Sequence, residues 1–404
     1  MSGNNPRRAL WGRGPTVTED RIVFAGIFAV TLLGLTTIGA SLPILPKYVT
    51  GPIGGGDIAV GVVTGAFAAT GLLFRPIGGA VADARGRRSV VIVGALLTSL
   101  SSVLLFIKAG IPGLIVTRLF LGAGEGMVFT AGAAWIVDMA PAARRGRMIG
   151  LYGLAIWGGL AIGPPIGELI LQAASFEAVW AFMTIAPLVG AAIAMRIPER
   201  YEPAAHPQHL TYPEHAKRLI AREALRPGIA LAMAMVGYAT LAAFIVLHLD
   251  DRQLGHGALV FTAFAATVVL GRLVGGGLPD RFGGSRTAAV AAVGQASGLI
   301  VIALAQTLSV ALLGAAIMGL GFALLFPSLA LLVVDAVPEE RRGAAMGTFT
   351  AFFDVGVGLG APAAGAVAVL GGYGLSFALA GMLGFGAAFV ALGLKRRVLA
   401  PVPT

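Results

Sequence analysis

The chain contains no cysteine and few charged residues, and both shortages narrow what it can be. Without cysteine it has no disulfide framework, no thiolate metal site and no cysteine nucleophile. Charged residues make up 12% of the sequence, against about 25% in soluble globular proteins. Hydrophobic residues reach 57%, and the mean hydropathy is +0.88. We therefore expect a 404-residue chain that is solvated by lipid.

Motifs of the common enzyme classes are also missing. The sequence has no P-loop, no His-Glu-x-x-His zinc motif and no Gly-x-Ser-x-Gly nucleophile elbow. Three histidines, His206, His209 and His215, have no carboxylate or cysteine spacing that indicates a metal site. We expect a protein that is not an enzyme and that binds no cofactor and no metal. A membrane-bound enzyme is the least favoured alternative.

Apolar runs of spanning length occur twelve times, and a bilayer core requires about 20 apolar residues per helix. This pattern predicts an all-α integral membrane protein with 12 transmembrane helices. The first run is long enough to span, so we expect no cleaved signal peptide. The spans are predicted at about 22–46, 58–82, 89–108, 112–138, 148–171, 177–196, 228–249, 257–279, 286–306, 308–334, 344–369 and 374–394.

The formal net charge of +10 is distributed along the chain in a pattern that indicates orientation. All but six of the 29 Lys and Arg residues precede the first span, follow the last span, or lie in every second loop or at the span ends beside it. The positive-inside rule then predicts cytoplasmic termini in a multi-pass protein of the plasma (inner) membrane. The basic residues are expected to contact anionic lipid. We expect no nucleic-acid partner.

An internal repeat relates the two halves at a constant offset of 197 residues. Arg75, for example, corresponds to Arg272, and the pair Arg144-Arg145 corresponds to Arg341-Arg342. Each half contains six spans, which predicts two pseudo-symmetric six-helix bundles with the substrate site between them, near mid-membrane. Two bundles complete the path, so a monomer is expected. The predicted units are a tail at 1–21, a bundle at 22–196, a cytoplasmic linker at 197–227, a bundle at 228–394 and a tail at 395–404.

The loop between spans 2 and 3 resembles the signature of the major facilitator superfamily, on the residues Gly79-x-x-x-Asp83-Ala84-Arg85-Gly86-Arg87-Arg88. The resemblance implies the fold of that superfamily and a gating latch in which Asp83 pairs with arginine or with the positive end of a neighbouring helix. Asp280 is its copy in the second half, and Asp138 closes the same end of span 4. A plain solvated turn is the alternative.

Span 4 carries two charges, Arg118 and Glu125, which lie seven residues apart and are expected to share a helix face. Charges inside a membrane are costly and usually functional. The segment is similar to the span-4 motif of the superfamily, which implies proton coupling through Arg118. Glu125 is a candidate proton carrier because a buried carboxylate near arginine can have a tunable pKa. A static ion pair that fixes helix packing is the alternative.

Span 5 is similar to the antiporter motif of the superfamily, on Gly159-x-x-x-Gly163-Pro164-Pro165-x-Gly167 followed by Glu168. Small residues at this spacing permit close helix contact, and the prolines bend the helix. The resemblance implies export and a gating role for Gly163, Pro164 and Pro165. Glu168 either gates the outer vestibule or faces water.

Span 11 contains a single carboxylate, Asp354, which the repeat aligns with Trp157 of span 5. A mid-membrane carboxylate predicts a proton or cation site, and a hydrogen bond to a neighbouring helix is the alternative. Arg75 and Arg272 are expected to snorkel or pair near the cytoplasmic end. Aromatic side chains predicted to contact an amphipathic substrate are Trp157, Phe129, Tyr152, Phe326 and Phe353.

These features favour a secondary active transporter that exports a small organic solute, such as a drug, sugar or metallophore-like metabolite, by proton-coupled antiport. Its partners are then the solute, protons and the lipid bilayer. Proton-linked or facilitated uptake is the alternative on the same fold. A transport-inactive membrane sensor or scaffold is the alternative of another class.

Overall fold

A computed structural model of the chain describes residues 17–139, 145–199, 221–338 and 341–394. Within these ranges the secondary structure is entirely helical. Most of the linker predicted at 197–227, together with its three histidines, lies outside the described residues. The first ten long helices are α1 Val17–Thr50, α2 Asp57–Arg85, α3 Arg87–Val103, α4 Gly110–Met139, α5 Arg145–Ala173, α6 Phe176–Arg196, α7 Arg222–Asp251, α8 Gly257–Gly275, α9 Gly284–Leu304 and α10 Leu308–Asp335.

The last helical segment, Arg342–Leu392, has 51 residues and is too long for one crossing. At about 1.5 Å per residue it would far exceed a hydrocarbon core about 30 Å thick. Its backbone leaves helical geometry at Gly371 and at Gly372, where φ is 77°. A positive φ favours glycine because other residues have a Cβ that clashes there. We therefore treat 342–370 as α11 and 373–392 as α12, which confirms the prediction of twelve spans.

The internal repeat is also seen in the backbone conformation, at the equivalent residues Gly86 and Gly283. Gly86 separates α2 from α3 with φ 95° and ψ 155°. Gly283 separates the five-residue helix Leu278–Phe282 from α9 with φ 85° and ψ 142°. Both turns require the positive φ that glycine adopts at little cost. The end of the molecule that holds these two turns is called the basic end here.

The helices pack as two six-helix bundles with equivalent contacts. In the first bundle α1 packs on α5 and α6, α2 on α4, and α3 on α4 and α6. In the second bundle α7 packs on the segment 342–392, α8 on α10, and α9 on α10. The two largest contacts between the bundles are those of α2 with the segment 342–392 and of α5 with α8. The predicted fold of two pseudo-symmetric bundles is confirmed.

The bundles approach each other most closely away from the basic end. Gly61 of α2 faces the carbonyl of Ala361 on α11, and Gly365 of α11 faces the carbonyl of Asp57. Towards the basic end, Gly150 of α5 and its repeat equivalent Gly347 of α11 have no described neighbour within 4 Å of the position a Cβ would occupy. The closest described contacts of the two bundles therefore lie at the end opposite the basic end, which is called the closed end here.

Candidate functional site

Three charged side chains from three helices meet where the bundles face each other. Arg75 of α2 lies 3.4 Å from Glu125 Oε2 of α4, measured from its Nη2 atom. Arg75 Nε lies 3.1 Å from Asp354 Oδ2 of α11, and Arg75 Nη2 donates to Asp354 Oδ1 at 3.3 Å. The side chains are 17%, 11% and 1% exposed, respectively. Glu125 and Asp354, which lie far apart in sequence, thus share one guanidinium.

Two carboxylates against one guanidinium leave this cluster with one excess negative charge when both acids are ionised. Asp354 Oδ2 is buried and, among the described residues, has no partner with hydrogen-bond geometry, although Arg75 Nε lies close to it. The ring of Phe129 covers the guanidinium of Arg75 at 4.9 Å. One bound proton neutralises the cluster, and buried uncompensated charge is expensive in a medium of low dielectric constant.

The structure shows the partners of Arg75 and of the two charges of span 4. Arg75, expected above to snorkel or pair near the cytoplasmic end, pairs with both candidate coupling carboxylates. Arg118 instead donates to Ser41 of α1 at 3.3 Å and lies 5.5 Å from the ring of Phe67. Although Arg118 and Glu125 are spaced to share a helix face, Glu125 pairs with α2 and Arg118 faces α1.

The equivalent site of the second half has the same arginine but aromatic partners. Arg272 of α8 corresponds to Arg75, and its guanidinium lies 5.5 Å from the ring of Trp157 on α5. Trp157 stands at the repeat position of Asp354. Phe322 stands at that of Glu125, and its ring lies 5.0 Å from Trp157. The two acids around the first arginine are thus replaced by two rings around the second.

An aromatic cluster extends from Trp157 towards the charged cluster. Tyr238 of α7 lies 6.2 Å from Trp157 and 6.3 Å from Phe353, the neighbour of Asp354 in sequence. Phe264 of α8 lies 6.0 Å from Trp157. All four of the rings of Trp157, Tyr238, Phe264 and Phe322 are at most 6% exposed. Of the predicted substrate residues, Trp157 and Phe353 meet in this cluster through Tyr238.

The remaining predicted substrate residues lie elsewhere. Phe129 covers Arg75, as described above. Tyr152 of α5 is buried and accepts a hydrogen bond from Thr31 of α1 at 3.1 Å, inside the first bundle. Phe326 of α10 packs 5.2 Å from Phe349 of α11, inside the second bundle. Substrate contact by these three stays a prediction.

At the basic end the signature loop forms a network of ion pairs. Arg87 contacts Asp83 at 2.8 Å and Asp138 of α4 at 2.9 Å, so it connects α2, α3 and α4. Glu199, after α6, accepts from the backbone amides of Arg87 and Arg88 at the N-terminus of α3. A carboxylate is favourable at this positive end of a helix. No local sequence pattern indicates a role for Glu199, because its partners precede it by more than a hundred residues.

The other predicted gating residues of this end are partly placed. Gly79 faces Thr130 of α4, which permits close contact within the first bundle. Arg85 lies in the last turn of α2 and is exposed. Asp280 lies on the short helix Leu278–Phe282 and is also exposed. The gating role of the Asp83 latch stays a prediction.

The glycine and proline motif of α5 packs against α1. Gly159 and Gly163 face the α1 backbone near Thr36, and Pro164 lies beside Gly39. The helix continues through Pro164 and Pro165 to Ala173. Glu168 pairs with Lys47 of α1 at 2.9 Å near the end opposite the basic end. Glu168 therefore has a partner inside its own bundle.

Comparison with known proteins shows which family has this architecture. The model of the Major Facilitator Superfamily matches residues 27–257 and 228–403. An uncharacterized MFS-type transporter of Salmonella typhimurium is 32% identical over 393 residues, which cover 95% of this chain and 100% of the relative. An uncharacterized MFS-type transporter of Burkholderia mallei is 33% identical over 382 residues, 92% of this chain and 91% of the relative.

Solved structures of low sequence identity share the fold. The human organic anion transporter MFSD10 superposes with a TM-score of 0.71 at 18% identity and covers 94% of this chain and 100% of its own. The nucleoside transporter NupG superposes with a TM-score of 0.77 at 14% identity, over 92% and 99% of the two chains. At these identities the likeness concerns the fold alone.

Proposed function

The chain belongs to the Major Facilitator Superfamily, a family of membrane transporters, and from this premise we infer that it exports a small organic solute by proton-coupled antiport. It is a multi-pass membrane protein and not an enzyme. Two bundles around a central interface suit alternating access, in which the site opens to one side at a time. The proposal adds direction, coupling ion and site residues to the transporter assignment.

The observation that carries the proton coupling is the cluster of Arg75, Glu125 and Asp354. It connects the bundles, since Arg75 and Glu125 belong to the first and Asp354 to the second. Its excess negative charge favours uptake of one proton, and its burial excludes bulk water. Intramembrane carboxylates of this kind mark proton routes in transporters. The hydroxyl of Tyr152 accepts a hydrogen bond from Thr31. A phenol supplies no positive charge to balance the two acids.

Protonation changes the contact between the bundles. When Asp354 is neutral, its ion pair with Arg75 across α2 and α11 loses most of its strength. Because a ligand shifts a conformational equilibrium by its differential affinity for the two states, a proton that removes this contact favours the state in which α2 and α11 separate. We place the basic end on the cytoplasmic side, so protonation, by loosening α2 from α11, is proposed to favour opening towards the outside.

The export direction is supported by the motif of α5. Gly159 and Gly163 place α5 against the backbone of α1, and this motif resembles that of antiporters in the superfamily. The substrate is proposed to bind where Trp157 and Tyr238 meet between the bundles. Arg118 contributes to coupling in this proposal through Ser41 rather than through a pair with Glu125.

Everted membrane vesicles that contain the protein test the coupling. A panel of small organic solutes is added while a pH-sensitive dye reports internal acidity. An exporter dissipates the proton gradient when its substrate is added, and Asp354→Asn or Glu125→Gln abolishes this response. Glu177→Gln, which removes an exposed acid that pairs with Lys108, serves as the matched control and keeps it.

Accumulation in cells separates the direction from the coupling. Cells without the protein retain more substrate if it exports and less if it imports. A gradient response that persists unchanged in both Asp354→Asn and Glu125→Gln would contradict the coupling site. A substrate that moves without any proton response would contradict antiport.

A further inference from the structure

The interface between α5 and α8 holds the guanidinium of Arg272, for which no ion pair is found among the described residues. Its Nε atom is buried and has no hydrogen-bond partner among them. Across the part of the chain that the structure describes, the contact found for this guanidinium is the face of Trp157, at 5.5 Å. A ring face does not satisfy five N–H donors. Buried polar groups without partners are rare, and each requires an explanation.

The other intramembrane arginines have partners. Arg75 binds two carboxylates, and Arg118 donates to Ser41 inside the first bundle. Arg75 takes both Glu125 and Asp354, and none of the described carboxylates forms an ion pair with Arg272. The α5–α8 side of the interface therefore carries an uncompensated positive charge, which mirrors the excess negative charge on the α2–α11 side.

The surroundings of Arg272 combine a glycine with apolar surface. Gly153 lies beside its Nη1 atom, where an added Cβ would stand only 3.1 Å away, so no side chain of Gly153 covers the guanidinium. Trp157 supplies ring surface next to it, and Phe264 and Phe322 pack against Trp157. A guanidinium fork matches carboxylate, sulfonate and phosphate groups, and its affinity for them increases where water is excluded.

We propose that Arg272 is the anion-binding residue of the substrate site and that the transported solutes are organic anions with an apolar, ring-bearing body. The acid group is bound by Arg272, and the body packs against Trp157. This inference rests on the proposed function for its place in transport. Binding is measurable without transport. An experiment can therefore contradict anion binding at Arg272 without contradicting the proposed transport function, and the reverse.

Binding of matched probes to the purified protein tests the proposal. The protein is placed in nanodiscs of phosphatidylcholine, and 2-naphthoate is compared with the uncharged 2-naphthamide of nearly equal shape. Octanoate and octanamide form a second pair. The wild type is expected to bind the anion at least about tenfold more tightly than the amide, as a charge-assisted hydrogen bond allows. Arg272→Gln is expected to abolish this preference.

Two further variants keep the test decisive. Arg272→Lys retains the charge without the planar fork, so an intermediate preference is expected even if the glutamine variant folds poorly. Arg281→Gln removes an exposed arginine that also lies over a ring, that of Phe282, and is expected to leave binding unchanged. Equal affinity for anion and amide in the wild type, or a preference that survives in Arg272→Gln, overturns the proposal.

An anionic lipid headgroup offers the same chemistry as a soluble anion. Nanodiscs that contain phosphatidylglycerol distinguish the two sources. If 2-naphthoate binds equally in both lipids, the soluble anion is the ligand. If phosphatidylglycerol displaces it and the displacement disappears in Arg272→Gln, the site holds lipid, and the substrate assignment is wrong. Proton coupling through Asp354 is measured separately and does not depend on either result.

Discussion

The two halves of the protein carry an arginine at the same repeat position, and the arginines have different partners. Arg75 on α2 contacts Glu125 and Asp354. Arg272 on α8 lies over Trp157, which itself packs on Phe322. The backbone frame is conserved between the halves, while two acids in one are two rings in the other. The difference gives one side of the interface an excess negative charge and the other an excess positive charge.

The helix contacts that surround the two arginines differ in the same way. On the α2–α11 side, Gly65 faces the carbonyl of Gly358. At the same repeat positions on the α8–α5 side, Thr262 donates to the carbonyl of Ala161 at 3.1 Å. Glycine permits close backbone approach, whereas threonine forms a hydrogen bond between the two helices. The substitutions below therefore exchange features of one side for those of the other.

Loss of the first arginine should have the largest effect. Arg75→Ala leaves two buried carboxylates without a cation, which is expected to destabilise the protein by about 3–5 kcal/mol. Arg272→Ala removes a cation over a ring, and the expected loss is about 0.5–2 kcal/mol. Apparent melting temperatures in detergent measure both, and Arg75→Ala with Asp354→Ala should regain part of the loss. Equal losses for the two single variants would show that the sites are not different in kind.

A carboxylate placed under the second arginine should make it resemble the first. Trp157→Asp gives Arg272 the partner that Arg75 has in Asp354, so binding of 2-naphthoate is expected to fall about tenfold or more because the protein's own anion competes. Trp157→Asn removes the ring without adding charge and should weaken anion and amide probes alike. An unchanged preference for the anion would contradict the assignment.

Part of this arrangement is readable from the sequence. The twelve spans follow from the apolar runs, and the break at Gly371 and Gly372 falls between the predicted spans 344–369 and 374–394. Glu125 and Asp354 stand out because charge is rare inside spans. Because a charge inside the membrane is energetically costly, its presence in a span can be recognised as significant without knowledge of the fold.

The partners of these residues are not readable, since they depend on helix packing. Arg75 is separated from Glu125 by 50 residues and from Asp354 by 279. Helical spacing places Arg118 and Glu125 on one face, yet Ser41 on α1 and Arg75 on α2 decide where each side chain turns. Glu199 lies in no motif and still holds the N-terminus of α3. Patterns within one sequence do not show which residues, far apart along the chain, come together in the fold.

A smaller effect is expected where α2 touches α11. Gly61→Ala introduces the residue that the repeat places at Ala258, but its Cβ would meet the carbonyl of Ala361. Overpacking of this kind typically costs about 1–3 kcal/mol, and it should loosen the closed end. Gly34→Ala, at a glycine of α1 with open space around its Cβ position, is the control. If both variants melt alike, close packing of α2 on α11 does not stabilise this state.

The smallest expected effect concerns a hydrogen bond across the closed end. Tyr373 of α12 donates to Asp57 of α2 at 2.7 Å, whereas Phe176 occupies its repeat position in the other half. Tyr373→Phe removes about 1 kcal/mol from the closed end and should increase the outward-open population a few-fold. Spin labels at Gly150→Cys and Gly347→Cys report this population in a chain without native cysteine. An unaltered distance distribution would show that the Tyr373 hydrogen bond does not stabilise the closed end.

The same pair of spin labels tests the central claim, that the cluster of Arg75, Glu125 and Asp354 couples a proton to the contact between the bundles. The distance between positions 150 and 347 is measured by pulsed electron resonance at mildly acidic and mildly alkaline pH. We expect acid to shift the wild type towards the shorter distance, as the basic end closes, and to leave Asp354→Asn unresponsive. An equal pH response in both proteins would contradict the account.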